Sequence, residues 1–317
     1  MKKILVVEYS QTGQLASVID AILAPLQATN SGVVIVREKL QPIPAYPFPW
    51  PFWQFLDTFP ESVAGESVPL APLSDATNAD DFDLVILGYP IWFLSPTPVL
   101  TSFLRSEAGR RLVRGKPVIT VTACRNMWMM AQEMLKKDLA DAGALHCDHI
   151  ALVDRGSALA TFITTPRWLL TGNKRAFWFF PAAGVASEDI AGCRRFGLAL
   201  RAALKNDEEK KNAPLLQGLR ACVVDERLIA SEKIARRSFC IWSRLLRALG
   251  KPGAPLRRAL LAFYLVFLVT LILTVVPLSM LLKAALRPLV RKKLAAARTY
   301  FEQPSGADSS RLGLFNE

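Results

Sequence analysis

The stretch M-K-K-I-L-V-V-E-Y-S-Q-T-G-Q, Met1 to Gln14, decides the fold. Ile4 to Val7 form an unbroken apolar run with two β-branched valines, which predicts a strand buried on both faces, as in a parallel sheet. Ser10, Gln11, Thr12 and Gly13 then make a short turn rich in hydroxyls. Leu15, Val18, Ile19, Ile22 and Leu23 follow at helical spacing, and Pro25 ends the pattern. A strand, a turn and a helix in this order form an anion cradle. The turn N–H groups and the helix N-terminus face the anion, hydroxyls add donors, and Gly13 allows close approach. The dinucleotide fingerprint G-x-G-x-x-G is absent, and no Gly-Lys-[Ser/Thr] follows as in a P-loop. The plainer reading is a connection whose Ser or Thr merely caps a helix.

The turn resembles the phosphate loop of flavodoxin-like proteins, [S/T]-x-T-G-x-[T/N], which holds the monophosphate of FMN. The resemblance implies FMN as cofactor and Ser10, Gln11, Thr12, Gly13 and Gln14 as its phosphate site. Gln14-Leu15 departs from the hydroxyl or amide pair preferred there.

Further buried strands are expected at Val33–Val36, Phe82–Leu87, the V-I-T-V-T run after Pro117, and Leu145–Val153. The fold class is therefore α/β: a flavodoxin-like five-stranded parallel sheet of order 2-1-3-4-5 with helices on both faces. A C-terminal helical, membrane-associated extension follows. The expected divisions are 1–205 for the flavodoxin-like domain and 206–258 for a linker with basic amphipathic helices. Residues 259–283 are expected to embed in or cross a membrane, and 284–317 to form a basic tail.

Between strands two and three, prolines at 42, 44, 47, 49 and 51 exclude a long helix, leaving Phe52 to Phe59 as the one crossover candidate. Trp50, Phe52, Trp53 and Phe55 either plug the sheet face or line a wall for an apolar substrate or a membrane interface. In open α/β sheets ligands sit beyond the carboxyl ends of strands. G-Y-P-I-W-F, Gly88 to Phe93, lies at such an end, as does Ala123-Cys124-Arg125-Asn126-Met127-Trp128. By resemblance to flavodoxin-like reductases, Pro90, Ile91, Trp92 and Phe93 line the isoalloxazine, with Ala123, Cys124, Arg125 and Asn126 as the facing loop. Tyr89 and Arg125 are positional candidates for catalysis. Cys124 reads as a buried thiol or a nucleophile. His146 and His149, three apart on one strand, are expected on opposite faces, so no metal site is expected. The insertion of more than thirty residues that begins at Asp154 and precedes the helix opened by Glu188-Asp189-Ile190, with Trp168, Trp178, Phe179 and Phe180, is expected either to shape a substrate pocket or to cover the sheet edge.

G-K-P-V-I-T-V-T-A-C-R-N-M-W-M-M-A-Q, D-R-G-S-A-L-A-T-F-I-T-T-P-R-W-L-L-T-G and F-P-A-A-G-V make the resemblance narrower. Over residues 1–205 the chain is similar to flavodoxin-like proteins known as dialkylresorcinol condensing enzymes. That resemblance implies a ketosynthase partner, an apolar polyketide or fatty-acid-derived substrate, and an oxidoreductase or aromatase role in a bacterium. The alternatives are an NAD(P)H-dependent FMN or quinone reductase and a flavin-free membrane scaffold for a ketosynthase complex.

The net charge of +12 is carried by residues 215–303, which hold 16 Lys and Arg against 4 Asp and Glu, 16 − 4 = +12. This excess surrounds an apolar segment, so it predicts contact with membrane lipids and no nucleic acid. Leu260 to Leu282 run 23 residues without a charge, enough to span a hydrocarbon core. Five basic residues precede this segment and six follow it, so the positive-inside rule chooses no side. A single crossing and a segment kinked at Pro277 that enters and leaves on one face both fit. Five scattered cysteines without C-x-x-C indicate a reducing compartment. Together these predict the cytoplasmic face of a bacterial inner membrane.

Overall fold

The computed structural model describes residues 1–79 and 81–315. Five strands, β1 (Lys2–Glu8), β2 (Val33–Lys39), β3 (Leu84–Gly88), β6 (Pro117–Cys124) and β7 (Leu145–Val153), form one sheet. A small antiparallel hairpin, β4 (Ile91–Trp92) and β5 (Ser95–Pro96), lies between β3 and β6 in sequence. The sheet order is β2-β1-β3-β6-β7 and every pairing is parallel. This is the flavodoxin-like doubly wound order, with its switch point between β1 and β3.

β1 shows why the apolar run is continuous. Ile4 and Val6 enter one core with Leu84, Ile86, Ile119 and Val121. Leu5 and Val7 enter the other with Val85, Leu87 and Val118. Each such side chain contributes about 1.5–3 kcal/mol by leaving water. The first core is closed by α1 (Gln14–Leu23) and α10 (Arg194–Lys205). These helices approach closely at Gly197, where a Cβ would lie 1.9 Å from the carbonyl oxygen of Ile22. The second core is closed by α5 (Pro98–Arg105), α6 (Glu107–Val113) and α7 (Met129–Asp141). The crossover after β2 is divided among three short helices, α2 (Phe52–Asp57), α3 (Phe59–Ala64) and α4 (Asp75–Ala79). The insertion forms α8 (Ala158–Thr171), and a short α9 (Ser187–Ala191) precedes α10.

The two histidines depart from the alternation expected of a flat strand. Val118 pairs with His146, yet Ile119 pairs with Asp148, so Cys147 is an extra residue in a β-bulge. The bulge turns His146 and His149 to one side, where both meet the Thr120 hydroxyl, at 3.0 and 2.9 Å. Burial lowers both imidazole pKa values, that of His146 to about 4. No metal-ligating group of three residues occurs among the described residues.

The packed core continues beyond Lys205. Leu215, Leu216, Leu219 and Ala221 belong to the first core, and Ala151 N donates to Ala221 O at 3.0 Å. The tail after Glu302 joins the same edge, with Cys222 N donating to Gly306 O and Arg220 N to Asp308 O. One buried carboxylate ties both segments to β7. Asp148 accepts from Leu215 N at 2.7 Å, Leu216 N at 3.3 Å and Ser305 Oγ at 2.7 Å. Burial pushes this carboxyl up to about 6, although the three donors pull it down. The segments expected as linker and tail therefore complete the domain edge.

α11 (Glu226–Ala248) lies along α3 and α7. Ser243 Oγ donates to Pro60 O at 2.6 Å, and Arg236 donates to Ser95 Oγ at 2.9 Å and Val63 O at 2.8 Å. α12 (Pro255–Glu302) starts at a charged clamp, where buried Arg257 donates to Asp57 Oδ1 at 2.7 Å and to both Glu61 oxygens at 2.6 Å. Its first part, Pro255–Val275, is long and apolar enough to cross a membrane, and Phe263, Val266, Leu273 and Val275 are exposed.

Asp148→Ala leaves three buried donors without an acceptor. Urea unfolding in detergent should show a loss of about 3 kcal/mol, with earlier tryptic cleavage in the tail. A loss below about 1 kcal/mol would mean that the clamp does not hold the edge.

Candidate functional site

The site is built where β1, β3 and β6 end side by side. Gly13 caps α1 in the left-handed region, φ 82°, which glycine adopts without strain. That turn leaves the backbone N–H groups of Gln11 to Leu15 without hydrogen-bond partners among the described residues, and the next N–H, of Ala16, is taken by Ser10 Oγ at 3.2 Å. A row of such N–H groups at the start of a ten-residue helix is a donor arrangement able to hold an anion. The Thr12 hydroxyl, also without a partner among the described residues, can add a donor. Ser10, expected as a phosphate donor, accepts from the first turn of α1 and keeps its own O–H to donate.

The two glutamines of the turn hold its surroundings. Gln11 Nε2 donates to Pro47 O at 2.8 Å, and its Oε1 accepts from Trp50 Nε1 at 2.9 Å. Gln14 Oε1 accepts from Val185 N at 2.7 Å. The departure at Gln14 thus has a structural role, fixing the F-P-A-A-G-V segment over the turn. Asp154, at the end of β7, holds the same segment by accepting from Gly184 N at 2.8 Å and from Gly156 N at 2.7 Å.

The β3 loop supplies a packed aromatic wall. Trp92 is buried against Tyr9, Tyr46 and Trp50, with ring centroids 6.1, 4.9 and 5.5 Å away. Phe93 stands at φ 49° in the hairpin turn and packs between Phe55 and Phe59 at 5.1 and 5.3 Å. Its ring is thus engaged with α2 and α3. Trp50 and Phe55 plug the sheet face as the first sequence reading expects, while Phe52 and Trp53 are exposed. The half-buried rim consists of Pro90 and Ile91 on one loop and Ala123, Cys124 and Arg125 on the other, with Asn126 exposed. Arg125 lies 5.6 Å from the Phe162 ring of α8, and burial lowers its pKa against the field of Asp154. Trp178 and Phe179 of the insertion are exposed.

Tyr89, a candidate for catalysis by position, is sealed beneath this rim. It is fully buried and its hydroxyl donates to Gln132 Oε1 at 2.7 Å. Gln132 continues to Thr120 and His146, both at 3.3 Å. Tyr89 therefore belongs to a polar network that joins β3, α7 and β7. Cys124 is a thiol whose pKa burial raises strongly, which disfavours the thiolate needed of a nucleophile.

One functional candidate lies where sequence reasoning did not look. Glu232 of α11 is fully buried, and its Oε1 accepts from Met130 N at 2.6 Å at the start of α7. Its Oε2 has no partner among the described residues. Burial raises this carboxyl to about 7, and its field reaches Cys124 and Tyr89. A carboxyl that titrates near neutrality beside the rim can hold or release a proton. The available signal was one acidic residue within the basic stretch from Arg227 to Arg258.

No protein-family model matches the chain. No curated protein matches it either. Solved structures similar to it include a flavoprotein in complex with FMN from Lactobacillus acidophilus, 14% identical, covering 48% of this chain and 91% of that one, TM-score 0.35. Oxidised flavodoxin 1 from Bacillus cereus is 14% identical over 62% of this chain and 95% of that one, TM-score 0.31. General stress protein 14 in complex with FMN from Treponema denticola is 9% identical over 64% and 99%, TM-score 0.32. The fold itself rests on the strand order and parallel register described above.

The raised pKa of Glu232 has a definite sign in stability. The folded protein retains this proton above the unfolded carboxyl's pKa, so stability falls as pH rises from about 4.5 to about 7. Glu232→Gln removes that penalty. Relative to the parent it should gain about 2–3 kcal/mol between pH 5 and pH 8. Parallel pH curves for the two proteins in denaturant titrations would count against a neutral buried carboxyl.

Proposed function

We propose that this chain binds FMN at the Ser10–Gln14 turn and acts as a membrane-associated, flavin-dependent oxidoreductase on an apolar substrate. The observation that carries this reading is the row of unpaired N–H groups from Gln11 to Leu15 at the N-terminus of α1. A dianionic phosphate is a fitting occupant, because it accepts several hydrogen bonds and complements the helix dipole. The cradle sits next to the β1/β3 switch point, where doubly wound folds place such ligands. The half-buried residues Pro90–Ile91 and Ala123–Arg125, with exposed Asn126, offer two edges for a flat ring. When bound, FMN supplies hydride transfer at its ring. The chain's own part is to seat the phosphate, orient the ring, and keep an exchangeable proton on Glu232.

The substrate class we propose is a lipid-like polyketide or fatty-acid-derived ring, as in dialkylresorcinol biosynthesis, with a ketosynthase as partner. Supporting this are the R-N-M-W and T-T-P-R-W-L-L-T-G stretches. Conversion of a cyclohexanedione to a resorcinol removes two hydrogens, a hydride and a proton, which suits a flavin beside a titratable carboxyl. Association with the inner face of a bacterial membrane would keep the enzyme beside an apolar product.

The test is the absorbance spectrum of detergent-purified protein before and after addition of FMN. Flavin peaks should be present, and Thr12→Ala should weaken FMN binding about tenfold or more, as expected for loss of a charge-assisted hydrogen bond. Gly13→Val should weaken it further by straining the turn. A protein that stays colourless with excess FMN would remove the oxidoreductase reading in favour of a scaffold.

A further inference from the structure

Both ends of α12 are bound to the same folded domain. At its start, Arg257 is clamped by Asp57 and Glu61, and Tyr264 stacks on Phe59 at 5.0 Å. At its end, buried Phe301 packs with Trp128 and Cys222, and Tyr300 donates to Glu133 at 2.7 Å. The following tail is hydrogen-bonded into the domain edge through Ser305 and Asp148. A helix crossing a bilayer once would place these two ends on opposite sides, which this packing forbids.

Distances lead to the same result. Tyr264 and Phe301 are 37 residues apart, about 55 Å along a straight helix. Yet Tyr264 lies 4.7 Å from the Trp242 ring and Phe301 lies 5.3 Å from Lys233 Nζ. Trp242 and Lys233 are nine residues apart on α11, about 14 Å. Even with all four side chains extended, Tyr264 and Phe301 are within roughly 40 Å of each other. The path of α12 must therefore bend sharply between them. Pro277 and Pro288 lie in that interval, and proline is the usual cause of a sharp helix bend.

Charge identifies what covers the exposed apolar surface. Residues 255–301 contain no Asp or Glu. Arg291, Lys292 and Lys293 are exposed on the returning part, while Arg258 lies over exposed Trp53 at 5.0 Å beside the entering part. Basic and aromatic side chains at both flanks suit anionic headgroups and the membrane interface. Basic counts of five and six on the two sides, which leave a single crossing without direction, are what the positive-inside rule expects when both flanks share one side.

Resting on the membrane part of the proposed function, we infer that α12 is a monotopic hairpin. It dips into one anionic leaflet and returns, with the tail on the same face as the phosphate cradle.

Two measurements on the full chain test this. Thr29→Cys and Ser309→Cys, with Gly313→Cys as a second tail position, are labelled with an impermeant maleimide in sealed membrane vesicles and read above the parent's labelling. Domain and tail positions should react from the same side, and reaction from opposite sides would overturn the hairpin. Sedimentation with phosphatidylglycerol vesicles should capture the protein, and Arg291→Glu/Lys292→Glu/Lys293→Glu should weaken capture at least tenfold. Capture equal on phosphatidylcholine, or none on either lipid, would overturn the anionic-leaflet assignment. Neither readout depends on flavin, so a failure here is distinct from failure of the cofactor reading.

Discussion

Unpaired backbone N–H groups at the end of a buried strand are costly unless something accepts from them, and this constraint organises the molecule. β1 is surrounded by both cores and delivers its turn to the middle of the sheet edge. Gly13 then caps α1 in the left-handed region, and the amides of Gln11 to Leu15 have no partner among the described residues. The neighbouring segments are fastened to that turn by its side chains. Gln11 fastens the proline-rich segment on one side, and Gln14 fastens Val185 on the other. The side chains of Gln11 and Gln14 are thus spent on holding these flanking segments.

The C-terminal third serves this centre from behind. α11 brings Glu232 under the β6 loop, where its carboxylate oxygen accepts from an N-terminal amide of α7. The tail returns to β7 and closes the edge of the sheet through Asp148. The apolar helix is thus held at both ends by the domain that carries the cradle. The β3 loop is packed against the start of this helix, because Phe93 contacts the same aromatic cluster as Tyr264.

The sheet was legible because its strands are short, apolar and separated by breakers, so the period and length of each run identify it. The strand–turn–helix unit was legible because Gly13 stands at a fixed offset between a buried apolar run and a helical period. What was not legible depended on contacts distant in sequence. The bulge at Cys147 puts His146 and His149 on one face, and no local pattern announces an extra residue in an otherwise regular strand. Gln14 looked like a weakened phosphate ligand, although its partner lies 171 residues away. Residues 213–224 run as bends and turns beside β7, held by Asp148 and by backbone bonds to Ala151, Gly306 and Asp308, partners that no local pattern announces. Tyr89 stood in the right loop, but its side chain points into the core, which sequence position cannot distinguish from pointing out.

The central claim is that the turn from Ser10 to Gln14 anchors a phosphate. The most direct measurement compares FMN with riboflavin, which has the same ring and no phosphate, by fluorescence titration of the detergent-purified protein. The account predicts FMN binding at least about a hundredfold tighter, since several charge-assisted hydrogen bonds are at stake. Equal affinities for the two flavins would contradict it.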